Sequence, residues 1–150
     1  MKKIYIKTNS SKQQLDLVCK IVLFLGLKYF TIWFYPEVKK KKRKKLLTPF
    51  ENSLYGKMML KPITVYDEKQ TLKKVKLFKV DNIEKCTFYQ NLKALKGKID
   101  SICFYNGKKP HWRLCGIMHE NIIIAKYSKK LEKYLIREKI EYDKSPPDWW

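Results

Sequence analysis

Phe30-Thr31-Ile32-Trp33-Phe34-Tyr35-Pro36 is an aromatic and β-branched run whose only polar side chain before the proline, apart from the tyrosine hydroxyl, is Thr31. Phe30, Ile32 and Phe34 alternate on one side and Thr31, Trp33 and Tyr35 on the other, the pattern of an interior strand covered on both faces. The competing reading makes the Trp33/Tyr35 side a platform on which bases stack. Pro36 ends the run. Seven consecutive cations then follow, Lys39, Lys40, Lys41, Lys42, Arg43, Lys44 and Lys45, before Leu46-Leu47-Thr48-Pro49-Phe50 returns to apolar residues. Such a run resists burial, because each unpaired ammonium costs several kcal/mol to desolvate. It belongs in water or against a polyanion, on a basic excursion over 36–57 punctuated by Pro36, Pro49 and Gly56.

Upstream, Lys3 to Lys7 alternates as a short strand. Ser11-Lys12-Gln13-Gln14 has the S-x-x-Q form of a capping box, and Leu15, Val18, Cys19, Val22 and Leu25 recur at helical spacing, so a mostly covered helix runs to about Gly26–Lys28. Downstream, Met58 to Tyr66 and Thr71 to Val80 read as a hairpin turning at Asp67-Glu68-Lys69-Gln70. Alternation in the second of these strands is imperfect, which a bulge would reconcile. Asp81 or Asn82 is placed to cap a helix to Lys96, but Thr87-Phe88-Tyr89 reads equally well as extended, and periodicity does not separate the two. Ile99 to Tyr105 is a strand, Asn106-Gly107 a turn, and His111 to His119 and Asn121 to Ala125 further strands. Ser128 caps a last helix to about Glu141. The order of elements predicts an α+β single domain over 1–144, with a largely antiparallel sheet, an N-terminal helix packed on it and a C-terminal helix; 145–150 is an extended Pro/Trp tail.

The chain has 150 residues, 45% of them apolar, enough for one domain with a real core. Its net charge is +20, and still +13 without the seven-cation run, so the excess is spread over the surface. Lysine outnumbers arginine 31 to 3, a bias that base composition alone explains, but the scarcity of acids is not explained that way. Cys19, Cys86, Cys103 and Cys115 contain no CxxC pair and suit structural thiols in a reducing cytoplasm. The N-terminus lacks a secretory pattern. Leu17 to Pro36 is long enough to span a membrane, but Lys20, Lys28 and Gly26 interrupt it, so no membrane span is expected.

For chemistry, His111 to His119 is the informative stretch. Read as a strand, it turns Trp112, Leu114 and Met118 to the core and His111, Arg113, Cys115, Ile117 and His119 to the other face. Two imidazoles and a guanidinium are the parts of a metal-independent ribonuclease, with Glu120 as a spare acid. The two histidines are however eight residues apart, roughly 27 Å along a strand. The same strand geometry disfavours zinc on His111, Cys115 and His119. The carboxylate pairs Asp81/Glu84 and Glu138/Glu141 are read as ordinary ion-pair partners, and neither a cofactor motif nor a phosphate-binding glycine loop is present.

The expected function is non-catalytic nucleic-acid binding. Lys39 to Lys45 would supply phosphate contacts, joined by Lys74, Lys76, Lys108, Lys109 and Arg113, with Trp33, Tyr35, Trp112 and the terminal tryptophans for stacking. RNA or single strands are favoured over duplex DNA, because aromatics are abundant and arginine is scarce. An inhibitor of phage or mobile-element type that engages a ribonucleoprotein or its guide RNA is the alternative, and a ribonuclease the third reading.

Overall fold

The run around Phe30 becomes β2, an interior strand of a seven-stranded sheet. In the computed structural model, which describes residues 2–60, 72–80, 85–107 and 111–148, the strands are β1 (Lys3–Lys7), β2 (Tyr29–Phe34), β3 (Leu54–Leu60), β4 (Lys73–Lys79), β5 (Ile99–Tyr105), β6 (Leu114–Ile117) and β7 (Ile122–Lys126). Their order is β1-β7-β6-β5-β2-β4-β3, and each pairing is antiparallel. Among the described residues four α-helices complete the mixed α+β single domain: α1 (Ser11–Leu25), α2 (Lys40–Leu46), α3 (Lys85–Lys93) and α4 (Lys129–Arg137).

The helix α1 starts one residue earlier than the capping box over Ser11 predicts. Ser10 has the extended backbone, its Oγ accepts from the Gln13 amide, and Gln13 Oε1 accepts from the Asn9 amide. The motif S-x-x-Q occurs in two overlapping frames, and the earlier one caps, because Gln14 is needed inside. Its Nε2 donates to the carbonyls of Ile117 (2.8 Å) and Ile122 (3.0 Å), where β6 ends and β7 begins. At the other end Gly26 adopts φ +64°, and the Leu27 amide reaches back to the Val22 carbonyl at 3.1 Å.

Both faces of the sheet are covered around β2 and β5. Phe30, Ile32, Ile102 and Phe104 pack under α1 and α3 with Leu15, Val22 and Leu92, while Trp33, Leu77, Cys103, Tyr105 and Cys115 form a second cluster on the other side. This two-sided burial explains the irregular alternation in β4, where Leu77 and Phe78 are neighbours and both buried. The expected bulge lies across the ladder, in β3, between Leu54 and Gly56. Strand β3 begins at Leu54, before the predicted Met58, while the turn at Asp67–Gln70 lies outside the described residues. Strands β2 and β4 pair only at Tyr29–Lys79 and Phe30–Phe78. Beyond these pairs β3 and β4 form an arm with its own register, and Phe50 packs against both Phe30 and Phe78.

The strand predicted over His111 to His119 is corrected to four residues, Leu114–Ile117, followed by a 3-10 turn over Met118–Glu120. Cys115 and Ile117 are buried, so the odd positions do not make an exposed face. The reason is again coverage from both sides, which alternation in sequence does not reveal. Cys103 and Cys115, far apart in sequence, meet across β5 and β6 with their sulfurs 2.7 Å apart as thiols, and burial pushes Cys115 well above the usual thiol range.

Segment 85–93 is helical, which resolves the ambiguity at Thr87-Phe88-Tyr89; the capping positions Asp81 and Asn82 lie outside the described residues. Ser128 caps α4 as expected, but that helix stops at Arg137, with Lys139 at φ +55°. Asp143 then exchanges two backbone hydrogen bonds with Tyr5 at 2.8 Å, covering part of the β1 edge. Glu132 ties this return to α4 by accepting from Tyr127, Tyr142 and Lys144. Those three donors, the two phenols first, hold its carboxyl down to about 2. No helix among the described residues is long and apolar enough to cross a membrane.

Candidate nucleic-acid interface

Seven adjacent cations make a poor helix. Like charges four apart, as at Lys40/Lys44 and Lys41/Lys45, each cost about 0.2–0.5 kcal/mol, and seven residues are too few for helix formation on propensity alone. The run is nevertheless helical as α2, with Lys39 at the N-cap and no side-chain capping bond. Its neighbours supply the order. Arg43 Nε donates to the Val38 carbonyl at 2.6 Å, its Nη2 to the Tyr35 carbonyl at 3.0 Å, and its guanidinium lies 5.6 Å from the centre of the Phe34 ring. Leu46 and Leu47 pack against the core behind it, and Phe50 is fully buried. The solvated excursion expected over Lys39 to Lys45 is thus a fastened helix, and Arg43 is the fastener. The six lysines of the run form no ion pair among the described residues, and no residue of α2 is buried.

The base of α2 opens on a cleft of about 360 Å³ lined by Glu37, Val38, Lys39, Lys42, Gly97 and Lys98. Gly97 also lines a second cavity of about 260 Å³, shared with Tyr35, Lys96, Met118 and His119. Lys98 is held there by strand-like backbone bonding, its carbonyl accepting from the Tyr35 amide at 3.1 Å. Cations from two segments, 39–45 and 96–98, therefore meet at one end of β2.

His119 sits in this second cavity, beside a carboxylate that the sequence reading missed. Strand β5 carries a bulge: Phe34 pairs with Ile99 and Trp33 with Ser101, leaving Asp100 as the extra residue. Asp100 is 1% exposed, and Nδ1 of His119 lies 3.1 Å from its Oδ1. On the other side of the ring Nε2 lies 3.5 Å from Oε1 of Glu120, and 23% of the His119 side chain remains accessible. The turn bearing His119 is fixed at both ends. Gln14 bonds the carbonyls of Ile117 and Ile122, and Thr8 donates to the carbonyl of Asn121, which has φ +52°, from both its amide (2.8 Å) and its hydroxyl (2.6 Å).

The remaining expected site residues are dispersed. Trp33 is 7% exposed and its Nε1 donates to Thr31 Oγ1 at 3.1 Å, so it is core and offers no stacking face here. Tyr35 is half-buried, its ring 6.1 Å from that of His119. Lys74 and Lys76 face Met59 and Lys57 across the β3–β4 arm. Arg113 is exposed at the start of β6, next to Trp112, which has Lys3 and Lys126 within 5.6 and 5.9 Å of its ring. Lys126 is pulled below the usual lysine range by burial first and by the Arg113 charge second. His111, exposed before β6, does not join His119. Lys108 and Lys109 lie outside the described residues.

Asp100 had a visible signal, as the one charged residue within the strand Ile99 to Tyr105. Lys96 and Lys98 had none beyond their flanking of Gly97. No cluster of histidine, cysteine and carboxylate among the described residues is arranged to hold a metal ion. Compared with family models, curated proteins and solved structures, the chain finds no match in any of the three.

Proposed function

We propose that this protein binds nucleic acid, RNA or single strands in preference to duplex DNA, through α2 and the cleft at its base. The observation that carries the reading is a helix whose lysines are exposed and form no ion pair among the described residues, although their mutual repulsion opposes helix formation. A polyanion laid along α2 would relieve that repulsion and release its own counterions. Lys39, Lys42 and Lys98 around one cleft would hold successive phosphates, and Tyr35 beyond it offers a partly exposed ring to an unstacked base. Base-specific reading is not part of the proposal, since Arg43, the guanidinium in this region, is occupied by backbone carbonyls.

Fluorescence anisotropy with a labelled single-stranded RNA, its DNA counterpart and a duplex of the same length tests this across a salt series. Affinity that falls steeply with salt, highest for the single strands, is expected. An affinity independent of salt, or a preference for duplex, would remove the reading.

A second reading, a ribonucleoprotein as target, is favoured by the outermost strand β3. Leu54, Tyr55 and Met59 are exposed there, with Lys57, Lys74 and Lys76 close by. Weak binding to free RNA with tight binding to an RNA–protein complex is its signature.

A further inference from the structure

We infer that the cavity beside α2 is a catalytic site for cleaving RNA, with His119 as the general base. The inference rests on the binding reading above and adds to it a reaction and a substrate class.

The supporting geometry is local. A buried carboxylate held on a β-bulge has its Oδ1 3.1 Å from Nδ1 of a histidine, and the histidine lies on a turn pinned by Gln14 and Thr8. Asp100 at 3.1 Å favours the tautomer in which Nδ1 carries the proton, so Nε2 is the nitrogen that exchanges protons. Lys96 lines the same cavity, and Lys98, Lys39 and Lys42 lie in the adjoining cleft across Gly97. The histidine therefore stands where a bound backbone would run.

In the reaction, Nε2 of His119 takes the proton of a ribose 2′-hydroxyl. The 2′-oxygen bonds to the adjacent phosphorus, and the bond from phosphorus to the 5′-oxygen breaks. The Lys96 ammonium protonates that leaving oxygen, giving a 2′,3′-cyclic phosphate and a 5′-hydroxyl. Water returns the proton to Lys96 and accepts the one on His119. Neither a metal nor a redox partner enters the balance. DNA, which has no 2′-hydroxyl, would be bound and left intact. Asp100 is a positioning residue, since it acts through His119.

The experiment incubates the full chain with a labelled single-stranded RNA in EDTA, beside the same strand with one 2′-deoxy linkage and an all-DNA strand. Expected are cyclic-phosphate ends on the RNA, protection of the deoxy linkage and intact DNA. His119→Ala and the closer-shaped His119→Gln should each lose roughly 100-fold or more in rate with unchanged RNA affinity. Asp100→Asn should lower kcat by roughly 10-fold at constant KM, a split that mere loosening of the fold would not give. RNA bound but uncut overturns this inference and leaves the binding reading standing. RNA not bound at all removes both. Cleavage undiminished in His119→Gln that melts like the parent also overturns the inference, because the activity would then come from elsewhere.

Discussion

The helices α1 and α2 show two ways of making a helix in one chain. α1 has a serine cap, a glycine at φ +64° after its last turn and a buried stripe through Leu15, Val18 and Val22. α2 has no side-chain cap, no buried residue and cations at every position but its last. The first is held by the core along its length. The second is held at one residue, Arg43, and by the apolar return behind it. A helix whose own sequence opposes it, yet which is fastened in place, is what the proposed binding of a polyanion would use.

Removing the α1 side should cost most. Gln14→Ala deletes both side-chain bonds to the carbonyls of Ile117 and Ile122 inside the core, and leaves those carbonyls without that donor. The expected loss is about 2–4 kcal/mol by denaturant titration, from two hydrogen bonds and a small cavity. A loss under about 1 kcal/mol would mean that the β6–β7 turn does not depend on α1.

Arg43→Lys should cost less, about 1–2 kcal/mol, because lysine keeps the charge but cannot span the carbonyls of Val38 and Tyr35 together. Its sharper effect is on α2 itself, whose amide protons should exchange faster while those of α1 stay protected. Equal protection in both helices would break the contrast, since α2 would then be stable without its fastener.

The α1 side also has an acid-sensitive tie. α4 packs on α1 through stacked Phe24 and Tyr134, 4.2 Å between ring centres, and Glu132 of α4 holds the C-terminal return. Its carboxyl is lowered from 4.5 to about 2 in the fold. The stabilisation is thus fully present above pH 4.5 and is lost as the pH falls through about 2. Glu132→Gln should flatten this part of the melting temperature profile between pH 4.5 and 2 and leave α2 unaffected. An unchanged profile would place the acid sensitivity in other carboxylates.

The contrast also explains what was legible in the sequence. Local signals held: the apolar spacing of α1, the break at Gly26, the Ser128 cap and the interior character of Phe30 to Phe34 all follow from side chains acting on their own neighbourhood. The failures were places where distant residues decide. Trp33 was open to two readings until Leu77, Cys103 and Tyr105 came to lie around it. His111 and His119 looked like one face, but β6 is four residues long with both its sides covered, and the second histidine lies on a turn beside Asp100. A bulge depends on register, and register between β2 and β5 joins residues about seventy positions apart. Likewise, seven cations read as a solvated loop, because the bonds from Arg43 to the chain before it cannot be seen as a spacing.

The smallest expected effect on stability is also the one that tests what α2 is for. Replacing Lys40, Lys41, Lys42, Lys44 and Lys45 with Gln, while keeping Arg43, removes like-charge repulsion from a helix that buries none of these side chains. The melting temperature should stay constant or rise slightly, because each relieved pair returns about 0.2–0.5 kcal/mol at most. Binding should behave differently. If about four of these lysines neutralise phosphates of a single strand, they contribute about −3 to the slope of log K against log salt. The variant should lose that part of the slope and weaken alike on all sequences, since phosphate contacts carry no base information. An unchanged slope would show that these lysines do not touch the nucleic acid, and the phosphate contacts would then have to be sought around Lys74 and Lys76 on the β3–β4 arm.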